Sequence, residues 1–198
     1  MSISDVKLLY GLACFVLCLI MVSPPIGMIV SLPAGERFSE LWLLGENHMV
    51  EGYPHNITEG ETYRVYLGVG NHMGDVEYYS VFAKFRNSSE PLPDIQNGTS
   101  SPLAAVFEWR FFLVDNQTWE REVTFSFGGI SVENNVTSVD RLMVNEELSF
   151  VNKTCVFDEE QKGFYCQLFF ELWRYNMTAS MLEFHDRFVG LRLNMTAS

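Results

Sequence analysis

TYRVYLGVGNHMGDVEYYSVFAKF, residues 62–85, is the stretch that decides the fold. In its first half Tyr63, Val65, Leu67 and Val69 share one face, and in its second half Tyr79, Val81, Ala83 and Phe85 do the same. A period of two over this length is the signature of half-buried strands. Asn71 to Asp75, between them, carries the Asn, Gly and Asp of a hairpin turn. Working outward, Phe107, Trp109, Phe111 and Leu113 alternate, a turn falls at Asp115–Thr118, and Val123, Phe125 and Phe127 alternate again. Residues 87–103 hold three prolines and read as a long exposed loop. Residues 139–144, 147–152 and 184–193 are further strand candidates, and FSELWLL at 38–44 opens the domain. About eight to ten short strands with regular turns predict a mainly β domain, an antiparallel sandwich of immunoglobulin-like type.

Upstream the pattern changes. Leu8 to Gly35 contains no charged residue. Spanning about 30 Å of hydrocarbon takes about 20 helical residues, and the run before Pro24-Pro25 has only 16. The helix therefore kinks at the proline pair or restarts there. The competing reading is a cleaved signal peptide, but the n-region has one lysine beside one aspartate, and Leu32 stands where a cleavage site wants a small residue. The expected organisation is a short cytoplasmic N-terminus at 1–7, one transmembrane anchor at 8–35, and an extracytoplasmic β-domain at 36–198. Cys14 and Cys18 lie on one helical face, read either as small packing residues or as a site of lipidation or bridging.

Eight Asn-x-Ser/Thr acceptors begin at Asn56, Asn87, Asn97, Asn116, Asn135, Asn152, Asn176 and Asn194, out of 12 asparagines in all. Ordinary composition gives about two. All follow the apolar segment, most in expected turns, so the sequence predicts N-linked glycans and places residues 36–198 outside the membrane. Cys155 and Cys166 suit that compartment. Folding the segment between them as a hairpin pairs Asp158 with Gly163, Phe157 with Phe164 and Cys155 with Cys166, which allows a cross-strand disulfide. Free buried thiols are the alternative.

The net charge is −12, nearly all of it after residue 35. Such a domain repels phosphate backbones and anionic headgroups, which excludes nucleic acid as an expected partner. Nucleophile-elbow, HExxH, P-loop and dinucleotide fingerprints are missing from the sequence, so no catalytic residue, enzyme activity or cofactor is expected. His48 and His72 sit in repeated Asn-His-Met triplets near Glu46, Glu51 and Asp75. They are weak metal candidates; turn residues bonded to local backbone are the plainer reading. Trp42, Trp109, Trp119 and Trp173 lie in apolar strands, which favours core packing over carbohydrate binding.

ERFSELWLLG (36–45), YRVYLGVGNHMG (63–74), KFRN (84–87), GFYCQLFFELW (163–173) and RFVGLRLNMT (187–196) together resemble an archaeal membrane-protein family catalogued as domain of unknown function 1616. The resemblance runs in order from about residue 19. It implies an integral membrane protein with an extracytoplasmic β-domain, and no activity to transfer. Members commonly carry several helices before that domain, whereas this chain has one. The expectation is a membrane-anchored, non-catalytic accessory or structural subunit of a cell-envelope complex, with a protein partner or self-assembly at the cell surface. A self-associating surface-layer or filament component, and a carbohydrate- or solute-binding module, are the alternatives.

Overall fold

The computed structural model describes residues 7–19 and 36–196. The chain divides into two compact units, Met1–Arg37 and Phe38–Ser198. In the first, α1 covers residues 7–19. At 1.5 Å per residue its described part extends about 20 Å, less than a bilayer core. Among the described residues no helix is long and apolar enough to cross a membrane. The Pro24-Pro25 interruption and the rest of the expected anchor, residues 20–35, lie outside the described residues. Cys14 and Cys18 are free thiols exposed on α1.

The second unit is all strand and turn. Its ten strands are β1 (Phe38–Leu44), β2 (Asn56–Thr58), β3 (Thr62–His72), β4 (Glu77–Asn87), β5 (Phe107–Leu113), β6 (Thr118–Glu133), β7 (Val136–Val144), β8 (Glu147–Asp158), β9 (Gly163–Asn176) and β10 (Met181–Thr196). They form one continuous open sheet in the order β1-β3-β6-β7-β8-β9-β10-β2, with β4 branching from β9 and carrying β5. All pairs are antiparallel except β10 with β2. β8 and β9 share only Phe157↔Phe164 and Asp158↔Gly163, after which β4 takes over that edge of β9 from Cys166 onward. The sheet curls there into a half-barrel. The mainly β, antiparallel class expected from the alternation is what the structure shows, in this curled form.

Curling brings the inward faces together. Phe85 of β4 meets Phe127 of β6 at 5.2 Å between ring centroids, and Phe111 of β5 stacks on Trp119 of β6 at 4.1 Å. Tyr79, Val81, Ala83 and Phe85, the inward set of the opening stretch, are fully or almost fully buried, with Val65, Leu67 and Val69 opposite. Each such large side chain contributes about 1.5–3 kcal/mol by leaving water. Asparagine makes the tight corners. Asn134 and Asn135 (φ 50° and 62°) close β6–β7, and Asn145 and Glu146 (φ 46° and 69°) close β7–β8. Two consecutive left-handed residues are what a two-residue hairpin of matching twist requires, and Asn tolerates them best among non-glycines.

Cys155 and Cys166 are bonded, with Cα atoms 6.1 Å apart. The hairpin register expected from sequence holds at Asp158 and Phe157. Beyond it the strands diverge, Cys155 pairing with Thr137 on β7 and Cys166 with Asn87 on β4. The disulfide therefore staples the curl at its corner.

Candidate functional site

None of the eight sequon asparagines is buried; Asn56, Asn97, Asn116, Asn135 and Asn152 are exposed, and Asn87, Asn176 and Asn194 half-buried. Their placement differs from the expectation that most occupy turns. Asn56, Asn152 and Asn194 lie inside strands, and Asn87 and Asn176 are the last residues of β4 and β9. The reasons differ: Asn152 closes the strand candidate 147–152 itself, Asn56 lies in β2, which the alternation does not register, and β4 and β10 run past their alternating segments to take in Asn87 and Asn194. Several of these asparagines also have local backbone duties. Asn116, Asn135 and Asn152 adopt positive φ. The Oδ1 atoms of Asn87 and Asn176 accept the backbone N–H groups two and three residues on.

The structure does not bring His48 and His72 together. His48 stacks on Tyr66 at 3.7 Å and contacts Glu120 at 3.1 Å, while His72 stacks on Phe38 at 4.8 Å with Glu40 at 3.6 Å. Tyr66 and His72 are six residues apart on β3, about 20 Å. Among the described residues no three His, Cys, Asp or Glu side chains converge as a metal shell.

Two buried polar clusters were not foreseen. Lys84 Nζ donates to Glu171 Oε2 at 2.8 Å and to the Ser101 carbonyl at 2.7 Å. Ser101 N and Trp173 Nε1 donate to the same carboxylate at 2.8 and 3.0 Å. Both side chains of the pair are buried. The cluster clamps the loop at 88–106 over β4 and β9. At the other cluster Tyr79 donates to Asn71 Oδ1 at 3.2 Å, Tyr79 Oη and Ser39 Oγ share a hydrogen bond of 2.6 Å, and Ser39 Oγ and His185 Nε2 share one of 3.0 Å. Ser39 is only 1% exposed. The network ties β1 to β4 and β10. Burial, then Arg174 and Arg187, pull the His185 pKa down to about 4.

The four tryptophans divide. Trp109 and Trp119 pack on the core as expected, and Trp173 reaches into the Glu171 clamp. Trp42 instead lies on the outer face of β1-β3-β6. Its register partner is Gly68, which in turn pairs with Glu120. A Cβ at Gly68 would overlap the indole, so the ring rests flat on bare backbone. Trp42 Nε1 donates to Glu120 Oε2 at 3.2 Å, which fixes the ring in that pose. Gly70 likewise leaves room for Glu40, whose Oε2 lies 2.8 Å from where its Cβ would be. An indole flat on a sheet between two carboxylates offers an aromatic face and hydroxyl acceptors side by side. Lone glycines two apart in an otherwise β-branched and aromatic strand are the sequence signal for such close approach.

A family model described as domain of unknown function (DUF1616) matches residues 32–138, more than half of the chain. No curated protein matches the sequence. Among solved structures, a β-glucosidase from Listeria innocua in complex with isofagomine is 10% identical with a TM-score of 0.37, over 82% of this chain and 16% of that one. The sporulation control protein Spo0M of Bacillus subtilis is 10% identical with a TM-score of 0.38, over 83% and 51%. A PapD-like domain of human CEP192 is 10% identical with a TM-score of 0.32, over 81% and 84%. The chain spans about a sixth of the glucosidase and half of Spo0M.

Proposed function

The chain belongs to the DUF1616 family, and we propose that it is a membrane-anchored extracytoplasmic glycoprotein, a non-catalytic accessory or structural subunit of a cell-envelope assembly. The observation that carries this reading is the set of eight sequons whose asparagines all reach the surface of the β unit, with none spent in its core. The stapling disulfide suits an oxidising compartment. The uncharged run at 8–35 supplies the anchor, and the half-barrel is read as an opened immunoglobulin-like sandwich. Alkaline carbonate extraction of native membranes tests the anchor. The protein is expected in the pellet; its release into the soluble fraction overturns the reading.

Self-association is the second reading, and one edge favours it. β2 and β8 carry sequons within the strand, whereas β5 has none and exposes Phe112 at 73%. An unglycosylated edge with an outward aromatic is open to pairing. Sedimentation in detergent tests this: Phe112→Lys is expected to reduce any oligomer to monomer, and an unchanged oligomer excludes this edge.

A further inference from the structure

We infer that the outer face of β1-β3-β6 is a saccharide platform and that its occupant is the glycan carried by Asn116, an inference that rests on the glycoprotein reading above. Three observations converge on it. The first is the Trp42 ring, held flat on Gly68 by its bond to Glu120, so that only its outer face remains for contact. A pyranose has an apolar C–H face that packs on an aromatic ring, while its rim of hydroxyls needs acceptors. Glu40 and Glu120 stand on the rows next to and through Trp42 and provide them.

The second observation is where the platform ends. His72, one row beyond Glu40 and Gly70, contacts Asn116 Oδ1 through Nδ1 at 3.2 Å and stacks on Phe38. Asn116 itself is exposed, in the turn entering β6, and Thr118 of its sequon pairs with Gly70 on this same face. From His72 to Gly68 is four residues of strand, about 13 Å, a reach suited to a short oligosaccharide. The third is the absence of competition among the described residues: no other sequon asparagine lies on β1, β3 or the part of β6 that pairs with β3. Asn116 Nδ2, the atom that carries an N-glycan, donates to Asp115 Oδ2 at 2.7 Å; a glycan replaces one of its two hydrogens, and with Oδ1 on His72 the linkage starts at the His72 edge, four residues of β3 from the Trp42 row.

The test uses the full chain purified from its native membrane in mild detergent, with glycopeptide mass mapping of all eight sites and acrylamide quenching of tryptophan emission. Two variants remove the Asn116 acceptor: Asn116→Asp, which keeps a residue tolerant of the left-handed backbone, and Thr118→Val, which keeps the strand. Both are expected to increase quenching and red-shift the emission, and both effects are expected to vanish in a Trp42→Phe background. Asn97→Asp, which removes a sequon away from this face, is the control and leaves Trp42 unchanged. A glycan at Asn116 whose removal does not alter Trp42 overturns the platform. So does a bare Asn116 in a protein glycosylated elsewhere, and both leave the glycoprotein reading standing. Polypeptide mass at all eight sites overturns the glycoprotein reading and the platform with it.

Discussion

Lys84→Met should be among the most destabilising single substitutions in the β unit. The side chain of Glu171 is 0% exposed and that of Lys84 6%. With the ammonium gone, the carboxylate keeps only two neutral donors, Ser101 N and Trp173 Nε1, in surroundings closed to water. Breaking a buried ion pair from one side costs about 3–5 kcal/mol, a large part of the 5–15 kcal/mol typical of a whole domain. Adding Glu171→Gln removes the stranded charge and keeps an amide oxygen for one of those donors. The double variant is therefore expected to regain about half of the loss, since only neutral hydrogen-bonding mismatches of about 1–3 kcal/mol remain. Urea unfolding of the full chain in detergent, followed by tryptophan emission, measures both. Limited proteolysis reads the clamp locally, with faster cleavage within 88–106 in Lys84→Met. A single variant within about 1 kcal/mol of the parent and no faster to cleave would place the pair with screened surface pairs and refute the argument from burial.

Three further perturbations follow from the same structure. The His185 pKa is depressed to about 4 from 6.5. Between those values the unfolded chain binds the extra proton, so stability is full above pH 6.5 and falls by up to about 3 kcal/mol as pH drops through 4; His185→Gln should flatten that limb of the pH–stability curve. Reducing Cys155–Cys166 should lower stability on the order of 3 kcal/mol in the chain-entropy model, seen as a lower urea midpoint in the presence of dithiothreitol. Thr137 is fully buried and its Oγ1 has no partner among the described residues; because it completes the Asn135 acceptor, the isosteric Thr137→Val is compared in an Asn135→Asp background, where it should raise stability by about 1 kcal/mol, measured by the same unfolding.

Much of the fold was legible because the signal was a simple alternation. β1 and β5 fall where FSELWLL and FEWRFFL are read, β3 runs two residues into the expected turn, and β4 ends two residues past Phe85. β2, at three residues, is too short for any period to register, and it exists through its pairing with the distant end of β10. β6 and β8 run longer than expected because Gly128-Gly129 inside β6 and the polar outward residues of β8 look like loop in one dimension. The site was less legible. Lys84 inside VFAKF and Glu171 inside FFELW are lone opposite charges in apolar runs, and only tertiary register makes them partners. Trp42 has the inward-strand composition of a core residue. Its position on the outer face follows from parity with Gly68 and Gly70, a pairing fixed only once β1 docks on β3.

The central claim, that residues 36–198 form a glycosylated domain outside the membrane, meets its most direct test in the intact mass of the protein from native membranes, before and after chemical deglycosylation. The expected mass lies well above that of the polypeptide, in a ladder of glycan increments that collapses to the polypeptide mass on treatment. A single species at the polypeptide mass from the start would contradict it.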